Sequence, residues 1–238
     1  MPLCVLKKTY MPSVPTYFKQ KMIQSIEYQG LMPLFYDDNA EICIAITETL
    51  YEAGIRYIEF TNRGKNALTN FKTLIEIRNR KMPDLKLGIG TIWSTADAQN
   101  YIEAKADFLI SPIFRQDICD MARANNMLWI PGCMTPTEIH TARTAGCEMI
   151  KIFPGDVLGA TFIKGIKPLF PTLKFVITGG VEPNLENIKS WFDAGAVVVG
   201  MGSKLISKSV TQNKDYKQLK INTLNILNII HILKRPHS

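Results

Sequence analysis

The sequence has few of the residues that build disulfide frameworks or metal centres. It contains five cysteines, an odd number with no Cys-x-x-Cys pair, and three histidines with no ligand spacing. This pattern argues against a disulfide framework and against a zinc site. It favours reduced thiols and a cytoplasmic location, and no metal is expected.

Long apolar runs and basic stripes are absent as well. No run approaches the roughly 20 apolar residues that a membrane-spanning helix needs, and residues 1–21 lack the apolar core of a secretory signal. The net charge is +7 at pH 7, but lysines and arginines are scattered and do not alternate with aromatic residues. We therefore expect a basic, solvated surface with no membrane and no nucleic-acid partner.

Short apolar runs alternate with longer amphipathic runs along the chain. Eight of the short runs are predicted to be strands: 31–36, 57–61, 85–90, 108–111, 128–130, 148–153, 175–178 and 196–200. Strands that alternate with helices imply parallel pairing through right-handed crossovers. The 238 residues therefore predict one α/β domain, a closed (β/α)8 TIM barrel. An open doubly wound sheet is the alternative, but no G-x-G-x-x-G follows the first strand.

The two ends of the chain lie outside these units. Residues 1–28 are predicted to be an N-terminal helical extension that closes the barrel bottom, and residues 206–238 a C-terminal helical extension. The latter includes an amphipathic helix over 219–233. The helix after the last strand is predicted to start at Ser203.

Lys151 is the most informative residue in the sequence. It lies near the end of an apolar run that Pro154 and Gly155 terminate. Burial favours a neutral amine over an ammonium group, and a neutral amine is a nucleophile toward carbonyl groups. A lysine whose stem packs while its head reaches solvent is the alternative interpretation.

Glu59 lies between the apolar residues Ile58 and Phe60. Strand alternation therefore places Glu59 on one face and its neighbours on the other. Pointed into a barrel, it would be a partly buried carboxylate suited to proton transfer. An ion pair with Arg63 or Lys151 is the alternative, and it is compatible with catalysis.

Two glycine-rich loops follow the last two predicted strands. In barrels these loops, with a helix N-terminus, often bind phosphate, because glycine lets backbone N–H groups approach phosphate oxygens closely. We expect Gly179, Gly180, Gly202 and Ser203 to form such a site, with Ser203 capping the final helix. Two tight turns without a ligand are the alternative.

Residues 29–205 resemble the class I 2-keto-3-deoxy-6-phosphogluconate (KDPG) aldolases, which are also called bifunctional 4-hydroxy-2-oxoglutarate (KHG) aldolases. Each motif is weak alone, but their order and spacing are specific. The motifs are Ile58-Glu59-Phe60-Thr61-Asn62-Arg63, Gly88-Ile89-Gly90-Thr91, Ser111-Pro112, Pro131-Gly132-Cys133-Met134-Thr135-Pro136-Thr137-Glu138, Lys151-Ile152-Phe153-Pro154-Gly155-Asp156, Thr178-Gly179-Gly180-Val181 and Gly202-Ser203.

The resemblance implies a lyase that needs neither a metal nor a cofactor. Lys151 would form a Schiff base with a 2-keto acid, and Glu59 would shuttle the proton of the C4 hydroxyl. The remaining roles that the resemblance implies are carboxylate binding by Arg63 and Thr91, pocket walls from Pro112 and Phe153, and phosphate binding by Gly179, Gly180, Gly202 and Ser203. It also implies a homotrimer.

Three positions depart from the pattern of the family. Tyr36 stands where many members have arginine, Ile113 where a small residue is common, and Asp156 where glutamate is common. The first two lie at the pocket rim and bear on the substrate, which is expected to be KDPG, or KHG without a phosphate. The alternatives are an isomerase or epimerase that forms no imine, and a catalytically silent barrel that binds a phosphorylated metabolite.

Overall fold

The computed structural model describes residues 17–235. Within this range the chain alternates between strands and helices. The strands are β1 Leu31–Phe35, β2 Tyr57–Thr61, β3 Lys86–Gly90, β4 Phe108–Ile110, β5 Leu128–Ile130, β6 Gly132–Cys133, β7 Met149–Ile152, β8 Lys174–Thr178 and β9 Ala196–Met201. The helices are α1 Tyr17–Gln29, α2 Ala40–Glu52, α3 Ala67–Lys81, α4 Thr95–Glu103, α5 Gln116–Ala124, α6 Pro136–Thr144, α7 Gly155–Ile166, α8 Leu185–Asp193, α9 Lys208–Asn213 and α10 Tyr216–Leu233.

All strand pairs are parallel, and the strand order is β5-β4-β3-β2-β1-β9-β8-β7-β6. The terminal strands of this order, β5 and β6, are consecutive in the chain and are separated only by Pro131. Proline has no backbone N–H to donate to a sheet, whereas the Pro131 carbonyl still accepts a hydrogen bond of 2.9 Å from the Lys151 N–H. The sheet therefore forms a nearly closed barrel, and the predicted barrel fold is confirmed.

Alternating side chains divide the core into two layers. The barrel interior contains buried residues from both the strands and α1. They are Met22, Ile23, Ile26, Met32, Phe108, Ile110, Leu128, Ile130, Met149, Val176 and Val198. Because Met22, Ile23 and Ile26 of α1 belong to this cluster, α1 packs across the amino end of the barrel.

The outer layer packs between the strands and the surrounding helices. Strand residues such as Ile58, Phe60 and Ile150 belong to this second cluster, together with the buried faces of the helices. Local signals set the helix starts. The Ser94 hydroxyl accepts from the Asp97 N–H, and Thr135 and Glu138 form a reciprocal capping box.

The predicted helix start at Ser203 is wrong. The residues after β9 form a single turn, in which the Gly202 carbonyl accepts from the N–H groups of Leu205 and Ile206. Helix α9 begins at Lys208 with Ser207 as its N-cap. Leu205 and Ile206 are both buried in the outer cluster, so packing against the core holds this segment as a single turn. The outer ring is completed by α10, which packs against α2 and α8.

Candidate functional site

Lys151 points into the barrel at the carboxyl end of β7. Its strand neighbours Ile150 and Ile152 belong to the outer cluster, and Met149 belongs to the inner one. Alternation therefore turns Lys151 inward. Its side chain is 7% exposed, so the amine is removed from bulk water and is not a snorkelling surface group.

Glu59 meets Lys151 inside the barrel. Ile58 and Phe60 face outward, and the Glu59 side chain is 2% exposed. The Lys151 Nζ donates a hydrogen bond of 3.4 Å to the Glu59 Oε1. The predicted contact between these two residues is therefore present, although they are far apart in the sequence. Each group lowers the cost of burying the other, since an unpaired buried charge is expensive.

Gly90 makes room for Glu59, and Gly132 makes room for the backbone at Pro112. A Cβ on Gly90 would lie 1.8 Å from the Glu59 Oε1, and a Cβ on Gly132 would lie 2.0 Å from the Pro112 carbonyl oxygen. Gly132 is the residue paired in register with Lys151. Gly90 and Gly132 thus have a role in the site that the sequence reasoning did not assign to them.

The predicted pocket residues adjoin the lysine. The Lys151 Nζ lies 5.3 Å from the centroid of the half-buried Phe153 ring. Pro112 follows β4, and its carbonyl packs against Gly132, directly beside Lys151. Both residues can therefore contact a molecule bound at the amine.

Arg63 and Thr91 lie at the carboxyl ends of adjacent strands. Thr61 and Gly90 form the last residue pair between β2 and β3. Just beyond this pair, the Asn62 N–H donates a hydrogen bond of 2.9 Å to the Gly90 carbonyl. Arg63 is exposed, and no ion pair of its guanidinium is found within residues 17–235. The structure gives no direct contact of Arg63 or Thr91 with Lys151.

Thr91 has a left-handed backbone conformation, with φ of 64°. Such a φ is unusual for a β-branched residue. It costs on the order of 1–3 kcal/mol and is found most often at functional sites. This strained conformation immediately follows Gly90 and is in keeping with the predicted role of Thr91 in the site.

The glycine loops after β8 and β9 lie side by side, because Thr178 pairs with Gly200. Gly179 and Gly180 have φ of 95° and 71°. A Cβ on Gly180 would lie 2.8 Å from the Asp156 Cα at the start of α7. Glycine is therefore required at this position in part because α7 packs closely against the loop.

The second loop is more open. A Cβ on Gly202 would find its nearest neighbour, Leu34, at 3.5 Å, which is an ordinary contact distance. Ser203 is exposed and begins no helix, so its hydroxyl is not used as a cap. These two residues are free to contact a ligand, but without the helix N-terminus that the sequence reasoning placed there.

Thr178 is a further candidate that the sequence reasoning did not select. It is 7% exposed, and its Oγ1 has no hydrogen-bond partner in the described part of the chain. An unpaired buried hydroxyl in a native fold calls for an explanation. Val176 belongs to the inner cluster, so the same alternation turns Thr178 toward the interior, as it does Lys151.

Tyr36 directly follows β1. Its hydroxyl donates to the Asp38 carboxylate, and burial, followed by that hydrogen bond, raises the pKa of Tyr36 to about 12. The ring packs on Phe60, with 5.7 Å between centroids. The first strand therefore presents a neutral phenol at the rim, in contrast to the arginine of many family members.

No metal site and no membrane span are evident in residues 17–235. This part of the chain has no cluster of three His, Cys, Asp or Glu side chains able to hold a metal ion. None of its helices is long and apolar enough to cross a bilayer.

The fold and site define a parallel α/β barrel with a buried lysine–carboxylate pair at the carboxyl end of its strands. The family described as "KDPG and KHG aldolase" matches residues 22–222. The chain belongs to this family.

Individual relatives agree with this assignment. The chain is 25% identical to the 2-dehydro-3-deoxy-phosphogluconate aldolase of Treponema pallidum over 213 residues, 89% of this chain and 99% of that protein. It is 32% identical to the 2-dehydro-3-deoxy-6-phosphogalactonate aldolase of Escherichia coli over 120 residues, 50% of this chain and 58% of that protein. Among solved structures, KDPG aldolase from Legionella pneumophila, with pyruvate captured as a covalent carbinolamine, has a similar fold. Its TM-score is 0.78 at 23% identity, over 84% of this chain and 95% of that one.

Proposed function

We propose that this protein is a class I aldolase that cleaves KDPG to pyruvate and glyceraldehyde 3-phosphate, with Lys151 as the Schiff-base residue. KHG, which would give pyruvate and glyoxylate, is a second substrate. The observation that carries the proposal is the buried amine of Lys151, 3.4 Å from the Glu59 carboxylate. An amine and a carboxylate in contact, removed from water, supply a nucleophile and a proton acceptor at one point.

The chemistry follows from this pair. The Lys151 amine adds to the C2 ketone of the substrate, and loss of water gives a protonated imine. The C3–C4 bond then breaks and its electron pair moves into the imine, forming an enamine. Glu59 accepts the proton of the C4 hydroxyl as that hydroxyl becomes the aldehyde. Protonation of the enamine and addition of water release pyruvate and restore the amine.

Different strand ends bind different groups of the substrate. Arg63 and Thr91 bind the carboxylate next to the ketone, for which the guanidinium offers paired N–H donors. Gly179, Gly180, Gly202 and Ser203 bind the distal phosphate. Thr178 ends β8, the strand that pairs with the strand of Lys151, and directly precedes Gly179. Its hydroxyl, which has no partner among residues 17–235, donates to a substrate oxygen.

Borohydride trapping tests the mechanism. Pyruvate followed by borohydride should leave one reduced pyruvyl group, on the peptide that contains Lys151, and Lys151→Gln should abolish it. Lys234 is the matched control, because burial lowers its pKa to about 8 and makes it a competing amine. The Lys234→Gln variant should be trapped like the wild type.

Other results would select another function. Label on Lys234 instead of Lys151 would overturn the imine assignment. Binding of phosphorylated ligands without any adduct would identify a catalytically silent barrel. Isomerisation without an adduct would point to an epimerase or isomerase that uses Glu59 and Lys151 without an imine.

A homotrimer remains a prediction from the family resemblance, and a cytoplasmic location remains a prediction from the cysteine pattern. Light scattering of the purified protein should give a mass three times the 26.8 kDa of one chain. A monomer or dimer would contradict the trimer prediction.

A further inference from the structure

A pair of cysteines lies at the end of the barrel opposite the proposed active site. Cys119 is on α5, and Cys147 immediately precedes Glu148 and β7. They line a cavity of about 60 Å³, which also includes Lys19 of α1 and the first residue of β5, Leu128. Because α1 and the amino ends of β5 and β7 meet here, the cavity lies at the amino end of the barrel.

Both side chains line this cavity and are buried, at 6% and 9% exposure, respectively. The Cys119 thiol donates a hydrogen bond of 3.7 Å to the carbonyl of Ala145, two residues before Cys147. The cavity exceeds the 10–15 Å³ or so that one water needs. It can therefore hold a small polar oxidant at the thiols.

Cationic groups surround Cys119. The Arg123 Nη2 donates to the Cys119 Sγ at 3.7 Å and to the Ala145 carbonyl at 2.7 Å. Lys19 lines the same cavity. Nearby cations stabilise a thiolate, which is the reactive form of cysteine.

The two thiols differ in their ionisation. The interaction with Cys147 lowers the pKa of Cys119 against the opposing effect of burial. Arg123 and Lys19 add to the lowering, and Asp120, which is ion-paired with Arg123, opposes it. The same interaction, together with burial, raises the pKa of Cys147 well above its usual value. Because the Arg123 guanidinium contacts the Cys119 sulfur, Cys119 is the attacking thiolate, and Cys147 is the second thiol in the same cavity.

The other described cysteines lack this setting. Burial raises the pKa of Cys43 to about 12 and that of Cys133 to about 12. The Cys43 thiol donates to the Asp37 carbonyl. No other cysteine among residues 17–235 contributes to the cavity.

We propose that Cys119 and Cys147 form a thiol pair that a small hydroperoxide converts into a reversible disulfide. The Cys119 thiolate attacks the O–O bond and becomes a sulfenic acid, while the peroxide is reduced to water or an alcohol. The Cys147 sulfur then attacks the sulfenic sulfur, and one water molecule leaves. Two electrons pass from the sulfur atoms to the peroxide, and a dithiol reductant reverses the change.

Peptide mapping after brief exposure of the full chain to hydrogen peroxide tests this proposal. The expected product is a Cys119–Cys147 cross-linked peptide that dithiothreitol removes. Both thiols should disappear at least about tenfold faster than Cys43 and Cys133, as expected for a thiolate among inert buried thiols. A Cys147→Ser variant should stop at a Cys119 sulfenic acid that dimedone traps, and Cys119→Ser should leave Cys147 unmodified.

Four results would overturn the proposal. They are a cross-link to Cys4 instead of Cys147, loss of Cys43 or Cys133 at the same rate, oxidation of Cys119 to sulfinic acid without a cross-link, and no reaction of either thiol. Conservative Cys→Ala variants at Cys43 and Cys133 provide the folding control, and both should still form the cross-link.

Discussion

The carboxylate of Glu59 occupies the space that a side chain on Gly90 would fill. A Cβ built on Gly90 would lie 1.8 Å from the Glu59 Oε1 and 2.6 Å from its Cδ. Both residues face the interior from paired strands, β2 and β3. The position of the carboxylate at Lys151 therefore depends on the absence of a side chain one strand away.

Gly90→Ala should displace the Glu59 carboxylate from Lys151. We expect turnover to fall by about 10² or more, the usual contribution of a positioned acid–base group, and stability to fall by about 1–3 kcal/mol through overpacking. Steady-state kinetics and denaturant unfolding measure the two effects. The matched control is Gly165→Ala, since a Cβ there meets nothing within 4 Å. Unchanged turnover in Gly90→Ala would show that the position of Glu59 does not limit the reaction.

Glu59→Gln should separate proton transfer from imine formation. The amide keeps the shape of the side chain but cannot accept the C4 hydroxyl proton. Turnover should drop by about 10² to 10⁴, while borohydride still traps pyruvate on Lys151. Full turnover would remove Glu59 from the mechanism. Loss of trapping as well would mean that Glu59 acts by tuning Lys151.

Gly202 and Ser203 test phosphate binding with the least disturbance of the fold. Gly202→Ala adds a Cβ that meets only Leu34, at 3.5 Å. By contrast, Gly180→Ala would press on the Asp156 backbone. We expect Gly202→Ala and Ser203→Ala to lower kcat/KM for KDPG by about tenfold or more, the value of a charge-assisted hydrogen bond.

Cleavage of unphosphorylated KHG provides the control for these two variants, and it should change little. An equal loss for both substrates would place the defect in the fold or at the imine. No loss for either would make the glycine loops plain turns and favour an unphosphorylated 2-keto acid as the substrate.

Thr178→Val should uncouple stability from activity. The Thr178 Oγ1 has no partner within the described chain, so replacing it with a methyl group removes a buried unsatisfied hydroxyl and should hold or increase stability. If the hydroxyl binds substrate, kcat/KM should fall by roughly tenfold, the cost of one hydrogen bond. Thermal melting and kinetics on the same preparation give both values. A less stable variant with normal kinetics would show that the hydroxyl is structural.

Lys234 should give the protein a measurable pH dependence of stability. Burial lowers its pKa from 10.5 to about 8, with Glu27 opposing and Lys174 adding to the shift. The cost of burying the charge is therefore fully present below pH 8 and is relieved as pH rises from about 8 to 10.5. Relative to Lys234→Met, the wild type should gain stability across this window. Denaturant unfolding at several pH values measures the difference, and parallel curves for the two proteins would contradict the prediction.

The sequence alone determined the elements and the direction of the main side chains. The predicted runs 57–61 and 128–130 coincide with β2 and β5, because short β-rich runs bounded by turn residues have few alternative conformations. Alternation also put Lys151 and Glu59 on the same side of their strands. Side-chain direction within a strand is a local property, so it can be read without knowing the partner strands.

The tertiary structure decided which residues meet. Gly90 and Gly132 belong to the site because atoms from other parts of the chain lie beside them. No local sequence pattern indicates these contacts. The same is true of the Gly180 contact with Asp156 and of the unpartnered hydroxyl of Thr178. The missing helix at Ser203 is of this kind too, because Leu205 and Ile206 pack into the core and hold this segment as a single turn. Such contacts join residues far apart in the chain, and only the closed barrel brings them within van der Waals distance.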